Sequence, residues 1–381
     1  MRNRYEEALA QRQKNGLLRS LPNISNAIDF YSNDYLGLAK NKQLVEKINE
    51  EVHQYCPTQT GATGSRLLSG NHAYIESVEK EIADFHQVET ALVFNSGYTA
   101  NVGLLSCIAD KEDTLIMDEL IHASLIDGAK LSKAKKVRFR HNDINDLAIK
   151  LAAVSGSKIV VVESLYSMDG DICPLKEIVT LCKIHGAKLI VDEAHGIGIF
   201  GNSGEGLCGH LGLQKDIFAT VITYGKAMGC HGAAILGSQW LKDYLINFSR
   251  PFIFTTAPSF HQLAAIKMSY QFVAKAKKER LSLQQLIQYL QTQQVDSPFD
   301  WISSNSQIQA VLIPGNEAVI VAATHLQKQG IAAMGIRYPS VARGGERIRI
   351  CLHAFNTKAD IDFLMVQLSS IAEKAKKYST V

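Results

Sequence analysis

The chain has 381 residues, 46% of them hydrophobic and 20% charged, with a net charge of +3. That length suits one large and one small α/β domain, and the balance is that of a globular protein rather than a disordered one. So small a net charge gives no ground for binding nucleic acid or an anionic membrane, and seven scattered cysteines without a Cys-x-x-Cys pair argue against a disulfide framework or a structural zinc.

Residues 4–19 carry apolar side chains at Tyr5, Ala8, Leu9, Leu17 and Leu18, which predicts an amphipathic helix. The turn Leu21-Pro22-Asn23 ends it, and a strand is expected over Ala27–Tyr31. Residues 1–40 read as an arm, because they cannot bury a core alone. The start lacks the apolar core of a signal peptide, and no apolar run approaches the roughly 20 residues of a membrane span. A cytoplasmic enzyme is the expectation.

From residue 74 a helix-then-strand rhythm sets in. Helices are expected over 74–85 and 98–108. Strands are expected over 90–94, 114–117, 136–140, 158–163, 188–192, 219–223 and 233–237. Short apolar strands separated by helices predict a largely parallel sheet covered on both faces. Residues 258–290 read as one or two long helices leading out of that sheet. Beyond Pro298, strands over 308–313, 331–336 and 347–352 with helices over 316–329 and 358–376 predict a small α+β domain. The expected division is an arm (1–40), a large domain (41–285) and a small domain (286–381).

Ligands of parallel α/β sheets gather beyond the carboxyl ends of the strands, so the residues just after each apolar run carry the functional reading. Thr223-Tyr224-Gly225-Lys226-Ala227-Met228-Gly229 places a lysine among small and apolar residues. Desolvation lowers an amine's pKa, and only a neutral amine attacks an aldehyde. Taken alone, the segment equally suits a surface lysine in a glycine turn. Lys188–Asp192 is a strand ending in a carboxylate, with His195 three residues on. An anion there would keep a pyridine nitrogen protonated, which makes such a ring an electron sink, and His195 could bond the ring's phenolic oxygen. Gly97 and Tyr98 stand between a strand and a helix, where backbone N–H groups bind anions, and Thr223 offers a hydroxyl at another strand end. His122 and Ser167 follow two further strands. The run Gly196-Ile197-Gly198-Ile199-Phe200-Gly201 matches Gly-x-Gly-x-x-Gly, but Asp192–His195 separate it from the strand and no helix follows, so a nicotinamide fingerprint is set aside. The basic stretch Lys130–His141 reads as a solvated helix end, or less simply as an attractor for a nucleotide-bearing substrate.

These segments together resemble the α-oxoamine synthases, a branch of the fold-type I pyridoxal-phosphate enzymes. The resemblance runs over nearly the whole chain: Ser32–Leu38, Gly64-Ser65-Arg66, Asn95–Tyr98, His122–Ser124, Ser167–Gly170, Val191–Gly196 and Thr223–Lys226. It implies a mostly parallel seven-stranded sheet in the large domain, a homodimer, and pyridoxal 5'-phosphate held by Lys226 as a Schiff base. It makes Asp192 the pyridine-nitrogen partner and His122 a ring that stacks on the cofactor. It has Ser167 and His195 contact that ring or its oxygen. Gly97, Tyr98 and Thr223 take the phosphate, with Thr256 reaching in from a second subunit. Asn33 matches a residue that the family supplies across the dimer interface, and Arg349 matches its amino-acid carboxylate clamp, a task suited to a guanidinium. Arg19 and Ser340 match substrate contacts. The implied substrates are L-alanine and a pimeloyl thioester on CoA or an acyl carrier protein. Sister enzymes using glycine or serine, and more distantly an aminotransferase, keep the same cofactor residues. The string Ile336-Arg337-Tyr338-Pro339-Ser340 departs from the usual pattern, with Tyr338 and Ser340 replacing Pro and Thr.

Overall fold

The computed structural model describes residues 2–19, 21–22 and 26–379. The turn expected at Leu21–Asn23 runs partly outside these. The first strand is β1 (Ile28–Asp29). Seven more follow: β2 (Thr90–Phe94), β3 (Thr114–Asp118), β4 (Lys135–Phe139), β5 (Lys158–Glu163), β6 (Lys188–Asp192), β7 (Ala219–Thr223) and β8 (Ala233–Gly237). Near the C-terminus lie β9 (Trp301–Ile302), β10 (Ile308–Leu312), β11 (Ile331–Ala332), β12 (Met334–Ile336) and β13 (Arg347–Cys351). Two compact units emerge. One comprises Asn33–Ser167 and Asp171–Leu281; the other comprises Met1–Ser32, Met168–Gly170 and Ser282–Val381.

The first unit holds a seven-stranded sheet in the order β2-β8-β7-β6-β5-β3-β4. Strand β8 runs antiparallel to both neighbours and the remaining pairs are parallel. Every residue of β3 and β7 is buried, as a sheet covered on both faces demands. The helix Gly97–Ile108 opens with a capping box, in which Ser96 and Thr99 satisfy each other's backbone N–H groups. It packs against the helix Ala123–Leu131. Gly128 permits the approach, since a Cβ there would lie 2.9 Å from the Asn101 carbonyl.

The second unit holds a four-stranded antiparallel sheet, β12-β13-β10-β9, and the parallel pair β1–β11. The helices Asn316–Lys328 and Lys358–Ser379 belong to it.

Boundaries moved where local chemistry overrode periodicity. The helix over 4–19 is instead Arg2–Lys14, because Gly16 turns left-handed at φ 63 and Leu17 N–H bonds back to the Arg12 carbonyl at 2.7 Å. The strand over 27–31 shrinks to β1, because the Asp29 carboxylate accepts from the N–H groups of Tyr31 and Ser32, both at 2.8 Å, and bends the chain. The 331–336 strand is two, β11 and β12, in different sheets. Gly198 and Gly201 sit at φ 82 and 92 in turns. Among the described residues no helix is long and apolar enough to cross a membrane.

Candidate active site

A cavity of ≈ 230 Å³ opens in the first unit at the carboxyl ends of its strands, where parallel sheets bind ligands. Its wall includes Gly97, Tyr98, His122, Asp192, His195, Thr223 and Lys226, so one space gathers residues from four separate segments. Asn33, Asn101, Ser124 and Glu163 line it as well.

Lys226 stands three residues past the end of β7, in a turn closed by Gly229 N–H to the Lys226 carbonyl at 2.8 Å. Gly229 has φ 66, and a Cβ there would press on the backbone of Leu38 and Ala39. Asp192 ends β6 almost fully buried. Its carboxylate accepts from Asn101 Nδ2 at 2.7 Å and from Ala194 N at 2.8 Å. His195 is buried too, with Nδ1 2.7 Å from Tyr35 Oη. Tyr35 in turn donates to Asn33 Oδ1 at 3.1 Å. Asn33 lines the same cavity.

His122 caps the helix Ala123–Leu131 and bonds Ser124 Oγ through Nδ1 at 2.8 Å. Desolvation by the cavity wall lowers its pKa and the charge of Lys226 adds to this, against the pull of Asp192. Glu163, in register with Asp192 on the neighbouring strand, accepts from His122 N–H. Burial, and then the Asp192 charge, raise its pKa well above the ordinary carboxylate value.

The helix start is suited to an anion. The first N–H groups of a helix have no intrahelical partner, and Gly97 and Tyr98 are the first two residues of theirs. Thr223 Oγ1 is buried beside them without a hydrogen-bond partner. A Cβ on Gly97 would collide with the Thr223 methyl. A bare backbone, an orphaned hydroxyl and a helix N-terminus form a cradle for phosphate. A lysine and a buried carboxylate on the same wall complete a fit to pyridoxal phosphate.

Ser167 and Thr256 are not among the lining residues described; the Thr256 carbonyl accepts from Asn95 Nδ2 at 2.8 Å. Arg19, Ser340 and Arg349 belong to the other unit, with Arg349 buried on β13. Sequence reasoning assigned no role to Asn101, Ser124, Tyr35 or Glu163. Two carried a signal: Asn101 lies one helical turn from Gly97 on the same face, and Glu163 ends a strand as Asp192 does.

A family profile described as "Aminotransferase class I and II" matches residues 25–368. The chain is therefore a fold-type I enzyme whose cofactor is pyridoxal 5'-phosphate. The 8-amino-7-oxononanoate synthase of Lysinibacillus sphaericus is 36% identical over 388 residues, covering 98% of this chain and 99% of its own. Among solved structures, a serine palmitoyltransferase from S. paucimobilis with bound PLP matches with TM-score 0.89 and 28% identity, covering 98% of both chains. The 8-amino-7-oxononanoate synthase of Francisella tularensis matches with TM-score 0.79 and 28% identity over 93% of this chain and 99% of that one. The chain belongs to the α-oxoamine synthases, the acyltransferase branch of that fold.

Proposed function

We propose that the enzyme joins L-alanine to a pimeloyl thioester, on CoA or an acyl carrier protein, releasing carbon dioxide and the thiol and yielding 8-amino-7-oxononanoate for biotin synthesis. The observation that carries this is the convergence of Lys226, Asp192, His122 and His195 on one cavity, in a chain whose relatives bear that name.

Bound pyridoxal phosphate supplies the electron sink that renders the amino acid's α-hydrogen acidic. Lys226 would hold the cofactor and, as a neutral amine, would take the α-proton on Nζ as general base. Asp192 holds a proton on the pyridine nitrogen. His122 covers one face of the ring, while His195 and Ser167 contact the ring or its oxygen. Gly97, Tyr98 and Thr223 grip the phosphate, joined by Thr256 of a second subunit in a homodimer. Arg349 clamps the amino-acid carboxylate and so orients the bonds at the α-carbon. Asn33, Arg19 and Ser340 bind the remaining substrate groups.

The test crosses L-alanine, glycine and L-serine with pimeloyl-CoA, a pimeloyl carrier protein, acetyl-CoA and palmitoyl-CoA, and identifies products by mass. Alanine with a pimeloyl thioester is the expected productive pair, and Lys226→Ala should abolish it. Turnover confined to glycine with acetyl-CoA, or to serine with palmitoyl-CoA, would transfer the chain to a sister synthase.

A further inference from the structure

We infer that Asn101 is a positioning residue whose amide fixes His122 as the neutral tautomer protonated on Nε2, through a directed relay over Ser124, while bracing the Asp192 carboxylate. The relay follows from counting hydrogens. Asn101 is buried on the helix Gly97–Ile108, and its Nδ2 reaches both Asp192 Oδ2 at 2.7 Å and Ser124 Oγ at 2.9 Å. An ionised carboxylate only accepts, so the –NH₂ group must face Asp192; the flipped amide would set two oxygens against each other. The second hydrogen of the same nitrogen then points at Ser124 Oγ. That oxygen accepts, and its own proton is free for its remaining neighbour, His122 Nδ1 at 2.8 Å. Ser124 N–H approaches the same Nδ1 at 3.2 Å. A ring nitrogen receiving two donors carries no proton, so the single imidazole hydrogen resides on Nε2.

The surroundings agree. The charged groups facing His122 are Asp192 and Lys226, and burial raises the pKa of Glu163 beside them well above the ordinary carboxylate value. Desolvation and Lys226 disfavour the imidazolium. The consequence rests on the reading above: a neutral ring leaves the Asp192 charge undivided for the cofactor's nitrogen, whereas an imidazolium would compete for it. The close approach of the two helices at Gly128 is what brings Asn101 within reach of Ser124.

The test is nitrogen-15 NMR of histidine-labelled protein, read in the cofactor-free and loaded forms, with His122 assigned through His122→Gln. Neither form requires a substrate, so the outcome is independent of which amino acid the enzyme uses. Wild type should show an unprotonated Nδ1 and a protonated Nε2 from pH 6 to 9. The isosteric Asn101→Asp can share one proton with Asp192 but loses the hydrogen aimed at Ser124, so Ser124 should turn its hydroxyl toward the new carboxyl group and accept from His122. His122 should then carry its proton on Nδ1, with a pKa raised by at least about one unit, a tenfold shift. A wild-type Nδ1 that bears the proton overturns the proposal whether or not the variant folds. So does a folded Asn101→Asp protein with unchanged tautomer and pKa.

Discussion

Replacing His141 by Gln should weaken the fold in a way that depends on pH. Asp118 at the buried end of β3 and Asp171 hold the two nitrogens of His141 at 2.9 and 2.6 Å. Asn142, at φ 52, adds its backbone N–H to Asp118 and its amide to Asp171. Burial opposes charging the ring, but the hydrogen bonds and charges of the two aspartates prevail and push its pKa up to about 10, from an ordinary 6.5. Because the folded value is raised, the stabilisation is complete below pH 6.5 and disappears as pH climbs through 10. A shift of that size corresponds to about 5 kcal/mol. The ring is 20% exposed, and solvent screening at this rim brings a working figure to about 2 kcal/mol at pH 6. The same linkage leaves about 0.7 kcal/mol at pH 9. Unfolding entropy for a chain of this length is roughly 0.8 kcal/mol/K. His141→Gln should therefore lower Tm by about 2–3 °C at pH 6 and by less than about 1 °C at pH 9. Calorimetry of the holoenzyme at one fixed protein concentration measures this. An equal drop at both pH values would refute a charged His141.

The phosphate cradle and the buried ion cluster give two more. Gly97→Ala drives a methyl into the Thr223 side chain, so cofactor affinity should fall at least about tenfold, near 1.4 kcal/mol. Absorbance titration of apoprotein with pyridoxal phosphate reads it, and an unaltered Kd would detach Gly97 from the phosphate. Glu79 is buried between Arg66 at 2.7 Å and Lys242 at 2.9 Å, and also accepts from Val93 N at 3.0 Å. Glu79→Ala strands an arginine that is itself buried and should cost about 3–5 kcal/mol in urea unfolding; a loss under about 1 kcal/mol would mean the cluster contributes little.

Most strands of the large sheet were legible as short apolar runs, although β4 is Lys-Lys-Val-Arg-Phe and only its last residue is buried; in the small sheet β10 and β13 were legible in the same way, while the two-residue β9 was not. Strand order was not. Placing β8 between β2 and β7 is decided by pairing across more than 130 residues of sequence, from Leu92 to Ile235, which no local pattern encodes. The same divide runs through the site. Lys226, Asp192 and His122 could be found because the backbone itself delivers them: each ends or follows a strand, and strand ends face the ligand. Asn101 and His141 act through other side chains. Asn101 looks like one polar residue inside a buried helix, and its meaning depends on Asp192, 91 positions away. His141 closes a stretch that reads as a basic patch. In the fold that stretch dissolves into local pairs such as Lys130 with Asp127 and Arg140 with Asp143. Its last member turns inward to aspartates 23 and 30 residues distant. Groups that touch the ligand are marked by their place along the chain, whereas groups that set the charge of those residues are marked only by what the fold puts beside them. Tautomer and pKa, rather than motif, are therefore the properties through which Asn101 and His141 declare themselves.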